Sequence, residues 1–137
     1  MSEKVAFIGL GAMGGPMALN IIKKGTSVSV FDIETEKMEP HIKVGGIPGK
    51  SIQDTIEDAE IIVTMLPSTE NVKSVITDKD GVLSFAKPNT IILDMSTIAP
   101  TGTDEVYALC KQKNIKFKHR KNCVFKLVSF HALTRWW

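Results

Sequence analysis

A chain of 137 residues with 43% hydrophobic side chains is the size of one domain with a real core, and too short for two. Glu3 and Lys4 precede only a brief apolar run, so neither a secretory leader nor a membrane span of about twenty residues is expected, and the chain reads as soluble and cytoplasmic. The small net charge of +2 conceals an imbalance: residues 1–115 hold 11 Lys and Arg against all 15 acids, whereas residues 116–137 hold six and no acid.

Val5 to Ile8 is a continuous apolar run that ends on glycines, the pattern of a strand buried on both faces of a parallel sheet. Pro16 then stands in the first turn of a helix whose Met17, Ala18, Ile21 and Ile22 recur at helical spacing before Lys23, Lys24 and a Gly25 stop. Ser27 to Asp32 alternates as a second strand, Glu34 to Lys43 reads as a weaker, charged helix, and Gly45 to Gly49 as a loop. A short helix over 51–58, with Ile52 and Ile56 inward, leads to a buried strand over Glu60 to Leu66. Thr69 to Ile76 reads as a helix, Asp80-Gly81 as a turn, Asn89 to Met95 as another buried strand, and Pro100 to about Lys113 as a last helix. Strands too apolar for a one-sided sheet, alternating with helices, specify an α/β fold with a doubly wound parallel sheet.

Gly9, Gly11 and Gly14 fall where the first strand gives way to the first helix, which is where a dinucleotide-binding loop needs them. Gly9 permits the tight turn, Gly11 lets a pyrophosphate approach the backbone, and Gly14 lets helix and strand pack closely. The helix N-terminus offers its N–H groups to the phosphates. Asp32 ends the second strand 18 residues after Gly14, near the separation of about 20 at which an acid receives the adenosine ribose hydroxyls; the other reading is a solvated strand-end acid. A carboxylate there repels a 2′-phosphate, and no arginine precedes residue 120, although Lys37 could partly substitute. These features specify a Rossmann-type fold preferring NAD over NADP. Leu66-Pro67-Ser68 and Ser96-Thr97 follow the two later strands, on the same sheet edge, and suit either a ligand crevice or helix capping. Cys110 and Cys123 match no metal-ligand spacing; they read as reduced thiols without assigned chemistry, and no metal is expected.

Four ordered segments, FIGLGAMGGPMALNIIKKG (7–25), VFD (30–32), TMLPSTENV (64–72) and DMSTIAP (94–100), resemble the 3-hydroxyisobutyrate dehydrogenase family of β-hydroxyacid dehydrogenases, relatives of 6-phosphogluconate dehydrogenase. The resemblance covers residues 4–117. It implies the NAD(P)-binding part of an oxidoreductase that moves hydride between a nicotinamide cofactor and a 3-hydroxy acid or its semialdehyde. It also implies cofactor contacts from Gly9, Leu10, Gly11, Ala12, Met13, Gly14, Asp32, Leu66, Pro67, Asn71 and Thr97, and a substrate-carboxylate contact from Ser96. Relatives preferring NADP read Asn-Arg where this chain reads Asp32-Ile33, in agreement with NAD.

Beyond Phe117 the resemblance implies an Asp-Ala-Pro-Val segment, a Ser-Gly-Gly substrate loop, a helix with a catalytic lysine and an asparagine four residues on, and an all-helical C-terminal domain. Residues 118–137 read KHRKNCVFKLVSFHALTRWW instead, and the Lys118–Asn122 spacing lacks the glycine-rich lead, so no catalytic residue is assigned. The expected division is a dinucleotide-binding domain over 1–117 and an atypical basic tail over 118–137, a frameshifted or truncated end, with the helical domain absent and the chain inactive by itself. Two other readings of the tail are a basic-aromatic patch for nucleic acid or an anionic membrane, and an added strand over Val124 to Val128. His119 and His131 read as tail polar residues. The expected partners are a small 3-hydroxy acid and, through an uncovered apolar face, a second copy of the chain; nucleic acid and membrane are not expected. The rival reading is a non-catalytic NAD(H)-binding module with a basic interaction tail.

Overall fold

A computed structural model describes residues 3–96 and 100–119. Six strands, β1 (Lys4–Ile8), β2 (Ser27–Phe31), β3 (Ile47–Pro48), β4 (Ile61–Thr64), β5 (Ile91–Asp94) and β6 (Lys116–His119), form one sheet in the order β3-β2-β1-β4-β5-β6. Every pairing is parallel. The order reverses between β1 and β4, so the connections leaving these neighbours run to opposite sides and open a crevice at their carboxyl ends. The doubly wound, Rossmann-type α/β sheet expected from the alternation of elements is therefore present.

Alternate residues of each central strand serve opposite faces. Val5, Phe7, Ile61, Val63 and Leu93 join one core with Ala18, Ile21 and Ile22 of α1 (Gly14–Lys23). Ala6, Ile8, Ile62, Ile92 and Phe117 join the other. This second core takes Ile56 from α3 (Ile52–Ile56), Val72 and Ile76 from α4 (Thr69–Thr77), Val82 and Leu83 from α5 (Val82–Phe85), and Val106 and Cys110 from α6 (Pro100–Gln112). Burial on both faces is what makes the central strands continuously apolar.

Several elements differ from their sequence expectation. The helix expected over 34–43 is split into a 3-10 turn (Thr35–Met38) and α2 (Glu39–Ile42), because Pro40 has no N–H to continue a ladder and sits in the first turn of α2. Within the 45–49 loop, Ile47 and Pro48 pair with Ser29 and Val30; at the sheet edge Pro48 leaves no central ladder bond unmade. α5, whose backbone runs only four residues, has no periodic signal. β6 carries Lys118 and His119 into the sheet, two residues past the boundary expected at 117. His119 is thus a buried strand residue, a correction to its reading as part of a polar tail. Its alternation of exposed lysines with buried Phe117 and His119 suits an edge strand. The strand expected over 124–128 and the rest of the tail lie outside the described residues. Among the described residues no helix is long and apolar enough to cross a membrane.

Candidate dinucleotide-binding site

The turn after β1 is built around two glycines that no other residue could replace without moving backbone. Gly9 has φ +100° and donates its N–H to Phe31 O at 3.0 Å; a Cβ on it would stand 2.2 Å from Met65 O. At Gly14 a Cβ would stand 2.0 Å from Gly9 O and 3.3 Å from the Met65 side chain, so helix, turn and β4 loop meet here without room for a methyl group. Gly11 is different: a Cβ there would meet nothing within 4 Å. Its bareness answers no need of the protein's own packing, and it leaves space above the loop for a ligand. No side chain caps the N-terminus of α1, whose N-cap residue is Met13. Leu10 is buried under the turn, whereas Ala12 and Met13 are exposed.

Asp32 stands beside this turn, partly exposed. Its Oδ2 accepts the Leu10 N–H at 2.8 Å and its Oδ1 accepts the Glu34 N–H at 2.9 Å. Each oxygen keeps accepting capacity, so the carboxylate is held in place and can still receive hydroxyl groups. The sequence shows the acid but not this double tie. Lys37, weighed above as a partner for a 2′-phosphate, is instead paired with Glu34 at 2.9 Å. The bonded Glu34 carboxylate holds its ammonium above the ordinary lysine range, with Asp32 and Glu36 adding to the effect.

His41, which carries no signal in the sequence, fastens α2 to the start of α1. The ring is buried, with Nε2 2.9 Å from Gly15 O and Nδ1 3.0 Å from Lys37 O.

On the other side of the crevice, the loop after β4 is anchored by the loop after β5. Ser96 is fully buried; its Oγ accepts the Leu66 N–H at 2.8 Å, and its N–H donates to Asp94 Oδ1 at 3.2 Å. Pro67 is exposed and Leu66 half-buried at the rim. Ser68 caps α4, its Oγ accepting the Asn71 N–H at 3.2 Å, and Asn71 is exposed in the first turn of that helix. Thr97 lies outside the described residues. The Cys110 thiol is pushed up to about 12 by burial, which leaves it inert. Among the described residues no group of three or more His, Cys, Asp or Glu could hold a metal ion.

The crevice thus gathers a bare turn at a helix N-terminus, a fixed acid and two anchored strand-end loops on one sheet edge. The sequence profile of the NAD binding domain of 6-phosphogluconate dehydrogenase matches residues 4–119. The chain belongs to that family. Relatives of this NAD-binding domain include the NAD-dependent L-serine dehydrogenase of Pseudomonas aeruginosa, 34% identical over 113 residues, covering 82% of this chain and 38% of that protein. The 3-hydroxyisobutyrate dehydrogenase of the same organism is 35% identical over 111 residues, covering 81% of this chain and 37% of the relative. Among solved structures, the 3-hydroxyisobutyrate dehydrogenase of Mycobacterium tuberculosis with L-serine superposes with a TM-score of 0.81 at 34% identity, over 87% of this chain and 40% of that one. The chain therefore spans less than two fifths of the length of these two curated relatives, and its likeness is to the NAD-binding domain of a hydroxy acid dehydrogenase family.

Proposed function

We propose that residues 4–119 serve as the cofactor-binding half of an NAD-dependent 3-hydroxy acid dehydrogenase, with NAD(H) preferred over NADP(H). The observation that carries the reading is Asp32, whose two oxygens are pinned by the Leu10 and Glu34 amides beside a turn that is bare at Gly11. In this reading the pyrophosphate lies over Gly9 to Gly14 against the N–H groups of α1, and Asp32 receives the adenosine ribose hydroxyls. Leu66, Pro67 and Asn71 border the nicotinamide half; the contact that the resemblance gives to Thr97 lies outside the described residues. The preference for NAD is supported by the negative charge of Asp32, which would repel a 2′-phosphate, and by the pairing of the nearby Lys37 with Glu34.

When bound, the nicotinamide donates or accepts the hydride; the protein supplies orientation and a path for the proton. Ser96, given to the substrate carboxylate by the resemblance, enters this reading through Leu66, whose N–H its hydroxyl holds. We assign no acid or base to residues 4–119. Residues 1–137 alone are therefore expected to bind cofactor without oxidising 3-hydroxyisobutyrate, in a cytoplasmic setting consistent with the free thiol of Cys110.

Fluorescence titration with NADH and NADPH tests the reading. Saturable NADH binding, tighter than that of NADPH, is expected. A folded sample that binds neither refutes the cofactor site, and one that prefers NADPH refutes the role of Asp32. Steady turnover of 3-hydroxyisobutyrate by residues 1–137 refutes the absence of an acid or base.

A further inference from the structure

At the carboxyl end of the sheet, Thr64, Asp94 and His119 are register partners across β4, β5 and β6. Neighbours in register share a face, and by alternation with Ile62, Ile92 and Phe117 that face is the α3–α6 side. All three are buried, Thr64 and Asp94 completely. A carboxyl group without solvent is expensive, and this one is only half satisfied. Oδ1 accepts from Thr64 Oγ1 at 2.9 Å and from the Ser96 N–H, whereas Oδ2 has no hydrogen-bond partner among the described residues and lies 3.6 Å from His119 Nε2. His119 Nε2 donates to Ser96 O at 2.9 Å. Burial pushes the Asp94 carboxyl above its ordinary range, opposed by the hydrogen bonds of Ser96 and Thr64.

An apolar side chain at this place would complete the core at less cost. What the polar row achieves instead is direction. Asp94 and His119 grip the backbone of Ser96 by its N–H and its C=O, and Ser96 turns its hydroxyl onto the Leu66 N–H, at the head of the loop that carries Pro67. We propose that Asp94 is a positioning residue for the cofactor: acting through Ser96, it fixes the Leu66–Pro67 turn against which the nicotinamide half of the dinucleotide rests. The proposal rests on the cofactor reading above. It concerns the half of the crevice on the β4–β5 side; the turn at Gly9 to Gly14 packs against Met65 across the β1–β4 seam, but its hydrogen bonds, from Gly9 N–H to Phe31 O and from Leu10 N–H to Asp32, do not pass through Ser96.

The two halves can be probed separately, because ADP engages the phosphate turn and Asp32 but has no nicotinamide. Ser96→Ala removes the acceptor of the Leu66 N–H; Asp94→Asn alters the grip on Ser96. Ser96→Thr and Ser96→Val form an isosteric pair that differ only in the hydroxyl, so any crowding is common to both. Calorimetric or fluorescence titration of each variant with NADH and with ADP, on samples whose near-UV circular dichroism matches the parent, reads the effect. NADH affinity should fall roughly tenfold in Ser96→Ala, the order expected when a partly buried amide is left unpaired, and by a smaller factor, about threefold, in Asp94→Asn, whose side-chain oxygen can still accept the Ser96 N–H while its new NH2 faces the His119 donor. ADP affinity should change less than about twofold, within the scatter of a distant substitution. Ser96→Thr should bind NADH more tightly than Ser96→Val. Equal losses for NADH and ADP would make the row a general stabiliser and overturn the proposal, as would unchanged NADH binding in either Ser96→Ala or Asp94→Asn. A parent chain that binds ADP and NADH equally well, with variants unaltered, refutes the positioning role alone. A parent that binds neither refutes the cofactor reading and this inference with it.

Discussion

Replacing Gly14 with alanine sets a methyl group 2.0 Å from Gly9 O and 3.1 Å from Gly9 C, both of them backbone atoms. Ordinary contact requires separations of about 3.5 Å, so the phosphate turn and α1 must part by roughly 1 Å or more. No rotamer change relieves the clash, which puts the cost near the upper end of overpacking penalties, about 3 kcal/mol. For a domain of this size that lowers the melting temperature by about 10–15 °C. Gly11→Ala is the matched control, since its methyl group would meet nothing within 4 Å and its φ is not positive. Its stability should equal or exceed the parent's by up to about 1 kcal/mol, because alanine restricts the unfolded chain. Yet both variants should lose NADH affinity, by about tenfold or more, Gly14→Ala through a displaced turn and Gly11→Ala through a methyl group standing where the pyrophosphate must lie. Thermal melts followed by circular dichroism, paired with NADH titration, separate the two effects. A Gly11→Ala chain that binds NADH like the parent would refute the placement of the pyrophosphate, and a Gly14→Ala chain melting within about 2 °C of the parent would refute the packing of the turn.

His41→Ala removes a buried ring that touches Gly15 O and Lys37 O; urea unfolding should show a loss of about 2–3 kcal/mol, and a loss near zero would mean the ring does not join α2 to α1. The raised carboxyl of Asp94 gives a signed pH effect: a group whose folded value exceeds its unfolded one binds more protons when folded, so its contribution to stability is full below the unfolded value and is lost as pH rises through the folded one. The stability of the parent relative to Asp94→Asn, from urea unfolding at several points between about pH 4 and pH 7, should therefore decline with rising pH; a flat or rising difference contradicts the burial of this group. Alkylation resolved by mass spectrometry should leave Cys110 unmodified in the native chain and label it only in denaturant, while native labelling on the timescale of an exposed thiol would show that α6 does not bury it.

Much of this arrangement is legible along the chain because its signals are local. The runs that become β1, β4 and β5 are apolar without interruption, since both their faces are covered, and Gly9 and Gly14, at the passage from β1 to α1, stand where backbones touch. Asp32 is legible for the same reason, as an acid at a fixed distance from those glycines. The rest depends on register, which no local pattern carries. Asp94 reads as an ordinary strand-end acid until β5 is set between β4 and β6 and its neighbours prove to be Thr64 and His119. His119 itself is hidden by composition: Lys116 and Lys118 make the segment look like the start of a basic tail, although their alternation with Phe117 and His119 is that of a strand. His41 lies in a charged stretch whose helical pattern is broken by Pro40, and only the folding of that stretch over α1 brings its ring to Gly15.

The sheet is two three-strand halves joined along one line, the pairing of Val5 to Ile8 with Ile61 to Thr64. The ADP portion of a dinucleotide would meet only the first half, residues drawn from the opening third of the chain, while its nicotinamide would meet only the second. A bound cofactor then works as a rivet across the joint. Saturating NADH should raise the unfolding temperature by mass action and protect amides on both sides of the joint from hydrogen exchange, whereas saturating ADP should protect chiefly the first side.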